Sequence, residues 1–106
     1  LAGTVEVHAA KPICDGISVD RAGNIYLGYL EKDAIAVLRP TGELEILAQD
    51  PALSWIDAFA FGPDGRLYTV ANQLHRVAPL NAGVDRTAPP FLVLRVTPLA
   101  SGVIGR

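Results

Sequence analysis

Asp15 and Asp57 are the residues whose type and spacing come closest to chemistry. They stand 42 residues apart, and each opens a similar stretch. Two carboxylates at equivalent places in repeated units would meet if the units surround an axis, and grouped carboxylates repel unless a cation, a proton or a cationic ligand lies among them. That makes Asp15 and Asp57 candidate ligands for calcium or another divalent cation, or for an amine. The alternative is that each accepts backbone N–H bonds and steadies a turn between units. Trp55 precedes Asp57 by two residues. It either stacks on a small molecule or packs between units, as a large uncharged ring does by default. With Tyr29 and Asn72, these residues form the candidate ligand-binding set. No catalytic residue is assigned. His75 has no Ser or Cys nucleophile placed near it by sequence, and no Gly-x-Ser-x-Gly elbow surrounds Ser18. Cys14 is either a small buried hydrophobe or a reactive thiol. Gly62-Pro63-Asp64-Gly65 lacks the lysine and the length of a phosphate loop.

The elements that must position these residues follow from an internal repeat. Asp15-Gly16-Ile17-Ser18-Val19-Asp20-Arg21-Ala22-Gly23-Asn24-Ile25-Tyr26 aligns with Asp57-Ala58-Phe59-Ala60-Phe61-Gly62-Pro63-Asp64-Gly65-Arg66-Leu67-Tyr68. Further on, residues 33–40 align with 72–79 at a shift of 39, which shortens the second copy around Leu30–Lys32. Each copy reads as four short strands. The first has Gly16–Asp20, Asn24–Gly28, Ala34–Leu38 and Glu43–Leu47; the second has Ala58–Phe61, Arg66–Val70, Gln73–Val77 and Phe91–Val96. Ile25-Tyr26-Leu27 is a continuous apolar run, as expected of a strand covered on both faces. The turns Asp20–Gly23, Arg39–Gly42 and Gly62–Gly65 each end in glycine, and two carry proline, whose fixed φ suits a type I or II bend. Thr4–Ala9 alternates and reads as one leading strand, and Pro98–Arg106 as a loosely held tail. The resulting divisions are 1–12, leading strand and linker; 13–54, first unit; 55–97, second unit; 98–106, tail.

Composition narrows the function classes. The chain has 106 residues, 50% hydrophobic and 19% charged. A chain this long removes roughly 65% of its unfolded surface from water, enough for a real core, and its apolar content excludes disorder. With nine basic against eleven acidic residues, it builds no basic face for phosphates, so nucleic acid is not an expected partner. No apolar run approaches the ~18 residues of a membrane helix, so no membrane partner is expected. One cysteine forms no internal disulfide and holds no structural zinc alone. No charged-then-apolar leader with a cleavage site is visible at the start.

A four-strand unit with a period near 40 is the signature of a β-propeller blade, a two-sheet sandwich being the alternative. The expected fold is therefore all-β, with two four-stranded antiparallel blades per chain. Two blades leave two outer faces bare, whereas propellers close with four to eight. The chain is then either part of a longer propeller or one member of a cyclic, head-to-tail homo-oligomer. A trimer giving six blades is favoured, with Thr4–Ala9 covering a neighbour's edge. Strand direction collects the glycine turns at one end of the blades. Cys14, Asp15, Tyr29, Glu31, Asp33, Trp55, Asp57, Asn72 and Gln73 gather at the other, where aromatic and carboxylate residues suit a small-molecule pocket.

Residues 15–26, Gln49-Asp50-Pro51, Ser54-Trp55-Ile56-Asp57, residues 61–68, Asn72-Gln73-Leu74-His75-Arg76 and Phe91–Val96 resemble the C-terminal part of the major royal jelly protein/yellow family. That family consists of six-bladed propellers. Ala58 departs from it, since its members usually carry glycine after the aspartate. The resemblance implies a secreted or extracytoplasmic propeller that binds small ligands, in some cases amines. More distantly, the first stretch is similar to gluconolactonase/regucalcin propellers, which place a divalent metal on a carboxylate matching Asp15. Three functions follow: a non-catalytic, self-assembling ligand-binding propeller; a divalent-metal-dependent lactone hydrolase; or a structural interaction scaffold.

Overall fold

Tight turns organise the chain. At Gly23 (φ 84°) and Gly65 (φ 77°) the backbone enters the left-handed region that a side chain disfavours. Each of these glycines closes a hairpin by donating its N–H three residues back, to Asp20 and Gly62 respectively. The computed structural model describes residues 3–106, and it is all-β, with no α-helix among them. The strands are β1 (Ile17–Val19), β2 (Ile25–Tyr29), β3 (Ala34–Leu38), β4 (Leu44–Gln49), β5 (Ile56–Phe61), β6 (Leu67–Ala71) and β7 (Leu92–Val96), with 3-10 turns at Leu30–Lys32, Leu74–Arg76 and Ala78–Leu80. They form two antiparallel sheets in sequential order, β1-β2-β3-β4 and β5-β6-β7.

The two sheets pack face to face. Tyr26 and Val37 meet Phe61 and Leu67, with Leu47, Phe59 and Val96 against them. Ile35 joins Leu53, Ile56 and Ala71. The ring of Phe61 meets that of Tyr26 edge-on at 6.0 Å and 80°, a favoured aromatic geometry. Gly16 and Gly28 permit the close approach. A Cβ on Gly16 would fall against the Asp57 carbonyl, and one on Gly28 would lie 2.7 Å from Ile56 O. The opposite face of the first sheet carries Leu27, Ala36 and Leu38, covered in part by Ala9 and Cys14 of the N-terminal segment. All five residues of β3 are buried, as its unbroken apolar run requires.

Five expectations need correction. The second sheet has three strands, not four. Gln73–Val77 is not a strand, because Gln73 takes a left-handed φ of 49° and Arg76 N–H donates to Gln73 O, curling the chain into a 3-10 turn. Pro79 then lies in a second such turn. Phe91–Val96, read as a fourth strand, supplies instead the third: Leu92–Val96 pairs with β6 from Ala71↔Leu92 to Leu67↔Val96. The Gln73 side chain replaces the missing ladder, since its Nε2 donates to Ala88 O (2.9 Å) and its Oε1 accepts from Ala88 N–H (2.8 Å).

Thr4–Ala9 is likewise not a strand: residues 5–10 make no ladder, Val5 and Val7 stay exposed at 59% and 79%, and Ala9 packs on the first sheet. The tail is held rather than loose. Gly102 bridges Asp20, and Ile104 bridges Phe61. Phe61 N–H donates to Arg106 O (2.7 Å), and Arg21 N–H to Ser101 O (2.8 Å). Gly102 makes this possible, because the Phe61 ring lies where its Cβ would be.

Candidate functional site

Asp57 is placed by an irregularity in β5. Ile56 pairs with Ala71 and Phe59 with Thr69, so β5 carries one extra residue between them. Such a bulge re-aims side chains and is common beside functional sites. Here Asn72 Nδ2 donates to Asp57 Oδ2 at 2.6 Å, and the Thr69 hydroxyl donates to Ala58 O at 2.6 Å, holding the bulged backbone.

Trp55 stands just before β5 with a left-handed φ of 58°, uncommon for a bulky residue. The surroundings enforce it. Asn72 N–H donates to Trp55 O (3.1 Å) and Gln73 N–H to Ser54 O (3.0 Å). The indole then reaches the start of the first sheet, where its Nε1–H donates to Asp15 Oδ2 at 3.0 Å. The His75 ring stacks on it, with centroids 5.7 Å apart and planes 19° apart. One end of the two sheets therefore carries a chain of contacts, Asp15–Trp55–His75, beside the pair Asp57–Asn72.

Tyr29 is not part of this group. Its ring packs on the other face of the first sheet with Leu27, Ala36 and Leu38, and the Lys32 ammonium lies 5.3 Å from the ring centroid. Cys14 packs on that same face. The stacking of His75 on Trp55 is not legible in the sequence, because a 3-10 turn rather than a strand carries His75.

The electrostatics of the group are simple. Among the described residues, the ion pairs are Arg39–Glu45 (2.8 Å) and Arg95–Asp64 (3.7 Å), so neither Asp15 nor Asp57 has a basic partner. Each accepts a neutral N–H instead. No three His, Cys, Asp or Glu side chains come together among the described residues to hold a metal. Calcium takes six to eight oxygens, so the acids of one chain do not make a complete divalent site. A cavity of about 440 Å³ lies beside the group, lined by Ser54, Ala71, Gln73, Arg76 and Pro90 among others, but none of Asp15, Trp55, Asp57 or Asn72 lines it. In a single chain Asp15 is exposed, while Trp55, Asp57 and Asn72 are half-buried at the same end.

The opposite end holds a second polar cluster, which sequence reading treated only as turns. Asp20 is buried, at 5% exposure. Its Oδ1 accepts Ala22 N–H (2.9 Å) and Asn24 N–H (3.0 Å), and its Oδ2 accepts Asn24 Nδ2 (2.8 Å) and Tyr26 OH (2.8 Å). Burial opposes ionisation, yet together these donors hold the carboxyl below its ordinary value. Burial and the adjacent Asp20 push the Tyr26 hydroxyl up to about 12. That hydroxyl also accepts Leu99 N–H at 2.8 Å, tying down the tail.

The second copy repeats the device with a different aspartate. Tyr68 OH donates to Asp64 Oδ2 at 2.7 Å, at the surface. Gly62 stands where the first copy has Asp20, and its lack of a side chain lets the Tyr68 ring pass. The recurring tyrosine, Tyr26 and Tyr68, each a few residues after an aspartate, is the signal in the sequence for this cluster. Its completeness makes it structural, because every carboxylate oxygen is spoken for and nothing is left to bind. No protein-family model matches the chain, and no curated protein matches it either.

Proposed function

We propose that the chain supplies part of a β-propeller of the royal jelly/yellow type, completed by further copies of itself with three favoured, and that it binds a small organic cation without catalysing a reaction. The site is the end bearing Asp15, Trp55, Asp57 and Asn72. One observation carries this reading: an indole ring whose N–H is held by Asp15 and on which His75 stacks, two residues before a second carboxylate, with no basic residue pairing either acid among the described residues. Indole faces attract ammonium groups within about 6 Å, and carboxylates fix their direction.

Trp55 is the only tryptophan, so its fluorescence reports on the site directly. Titration with phenethylamine should change the emission saturably, whereas 2-phenylethanol, its neutral counterpart, should leave it unchanged. Asp15→Asn and Asp57→Asn should each weaken the amine's affinity at least about tenfold, equivalent to ~1.4 kcal/mol. Equal responses to amine and alcohol, or unaltered affinity in both variants, would reject the proposal.

A further inference from the structure

Two apolar surfaces of this molecule are open, β1 on the outer face of the first sheet and the free face of the second sheet, and the repeat relates them to the two faces that are already joined. Phe59 and Phe61 of the second sheet pack on Tyr26 and its neighbours in the first. Their equivalents in the first copy are Ile17 and Val19, which point out of the first sheet at 55% and 50% exposure. The equivalent of Tyr26 is Tyr68, and those of Ser18 and Gly28 are Ala60 and Val70. On the free face of the second sheet, Ala58, Ala60, Tyr68, Val70 and Val93 line a shallow groove of about 170 Å³, and Val93 is 73% exposed. Each sheet therefore displays the face that the other one uses.

We infer that a second copy of this chain docks the Ile17/Val19 face of its first sheet onto the Ala60/Tyr68/Val70/Val93 face of the second sheet, head to tail. This rests on the self-assembling reading above and names the surfaces it would use. The internal contact between the sheets is the pattern for it, with Val19 set against Tyr68 as Phe61 is set against Tyr26. The contact is centred on β1, because the N-terminal segment covers Leu27, Ala36 and Leu38 on the same face and leaves β1 open. Ala58 and Val70 stand where the first sheet has Gly16 and Gly28, so the incoming sheet seats farther out than the internal one does. Different surfaces meet at such an interface, so it propagates until the rotation closes a ring.

Two variants test the inference in the full chain, with mass measured by sedimentation and folding by circular dichroism. Val93→Glu spoils only the second sheet's free face, and Val19→Lys only the first sheet's. Wild-type chain should be oligomeric, each variant alone monomeric, and their equimolar mixture a dimer and nothing larger, since one intact interface remains per pair. If wild type is oligomeric and both variants stay so, the assembly uses other surfaces and the inference is overturned while self-assembly stands. A monomeric wild type overturns both. Should Val93→Glu fail to fold, Ala60→Lys on the same exposed face replaces it and must give the same result.

Discussion

Replacing Asp20 by asparagine keeps the shape of the most heavily bonded side chain in the protein while removing its charge. Four donors converge on this carboxylate at 2.8–3.0 Å. With the amide oxygen left facing the two backbone N–H groups, the new NH₂ meets Asn24 Nδ2 and Tyr26 OH. Tyr26 can turn and accept, but Asn24 cannot simply flip, because its oxygen already accepts from Arg39 at 3.3 Å. One hydrogen bond is lost and three change from charged to neutral. Hydrogen bonds to charged groups contribute about 1.5–3 kcal/mol against about 1 for neutral ones, so the cost is at least about 3 kcal/mol. For a chain of this length that lowers Tm by on the order of 15 °C. The assay is thermal unfolding by circular dichroism at pH 7, with Asp64→Asn as the comparison. Asp64 also accepts a tyrosine hydroxyl but lies at the surface, so its replacement should lower Tm by less than half as much. The pH dependence has a definite sign. The Asp20 pKa is lower folded than its ordinary 3.8, so its contribution is complete above about pH 4 and is lost as pH falls through the depressed folded value. The gap between wild type and Asp20→Asn should therefore narrow in strong acid. A fall of less than about 4 °C, or a gap that widens as the pH drops, would refute the reasoning.

Tyr26 titrates in the opposite sense: its pKa rises from 10.0 to about 12 on folding, so its contribution is whole below pH 10 and is lost between about pH 10 and 12. Urea unfolding across that range should show wild type losing stability that Tyr26→Phe does not, and parallel curves would count against the Asp20–Tyr26–Leu99 linkage. Gly28→Ala would place a methyl 2.7 Å from both Ile56 O and Ile56 Cβ, and overpacking of this kind typically costs 1–3 kcal/mol. Urea denaturation should show that loss, and an unchanged midpoint would mean the sheets do not approach as closely at β2 and β5.

Much of the first sheet was legible because its signals are local. The hairpin from Gly16 to Gly28 is written in a glycine turn between two apolar runs, and the β3 and β4 segments announce themselves by a solid apolar stretch followed by alternation. The same local logic failed at Gln73–Val77. An apparent repeat suggested a strand, but a left-handed Gln73 and a following proline bent the chain away, and a distant segment took the vacant place beside β6. Pairing between residues 71 and 92 has no local signature. Thr4–Ala9 failed for another reason: its alternating Val5 and Val7 remain exposed, so alternation over a short segment does not by itself mean that one side is covered.

For the candidate site, the sequence alone determined that two aspartates, a tryptophan and an asparagine lie at one end of the strands, because strand direction and turn length settle which residues share an end. Only the tertiary structure decided which of them touch. The indole of Trp55 spans 40 residues of sequence to reach Asp15, a bulge turns Asp57 toward Asn72, and the pleat of β2 sends Tyr29 to the opposite face. Side-chain direction alternates with every residue, so one inserted residue or one left-handed φ reassigns a partner. Those reversals are set by packing between the sheets, and no pattern within a single strand encodes them.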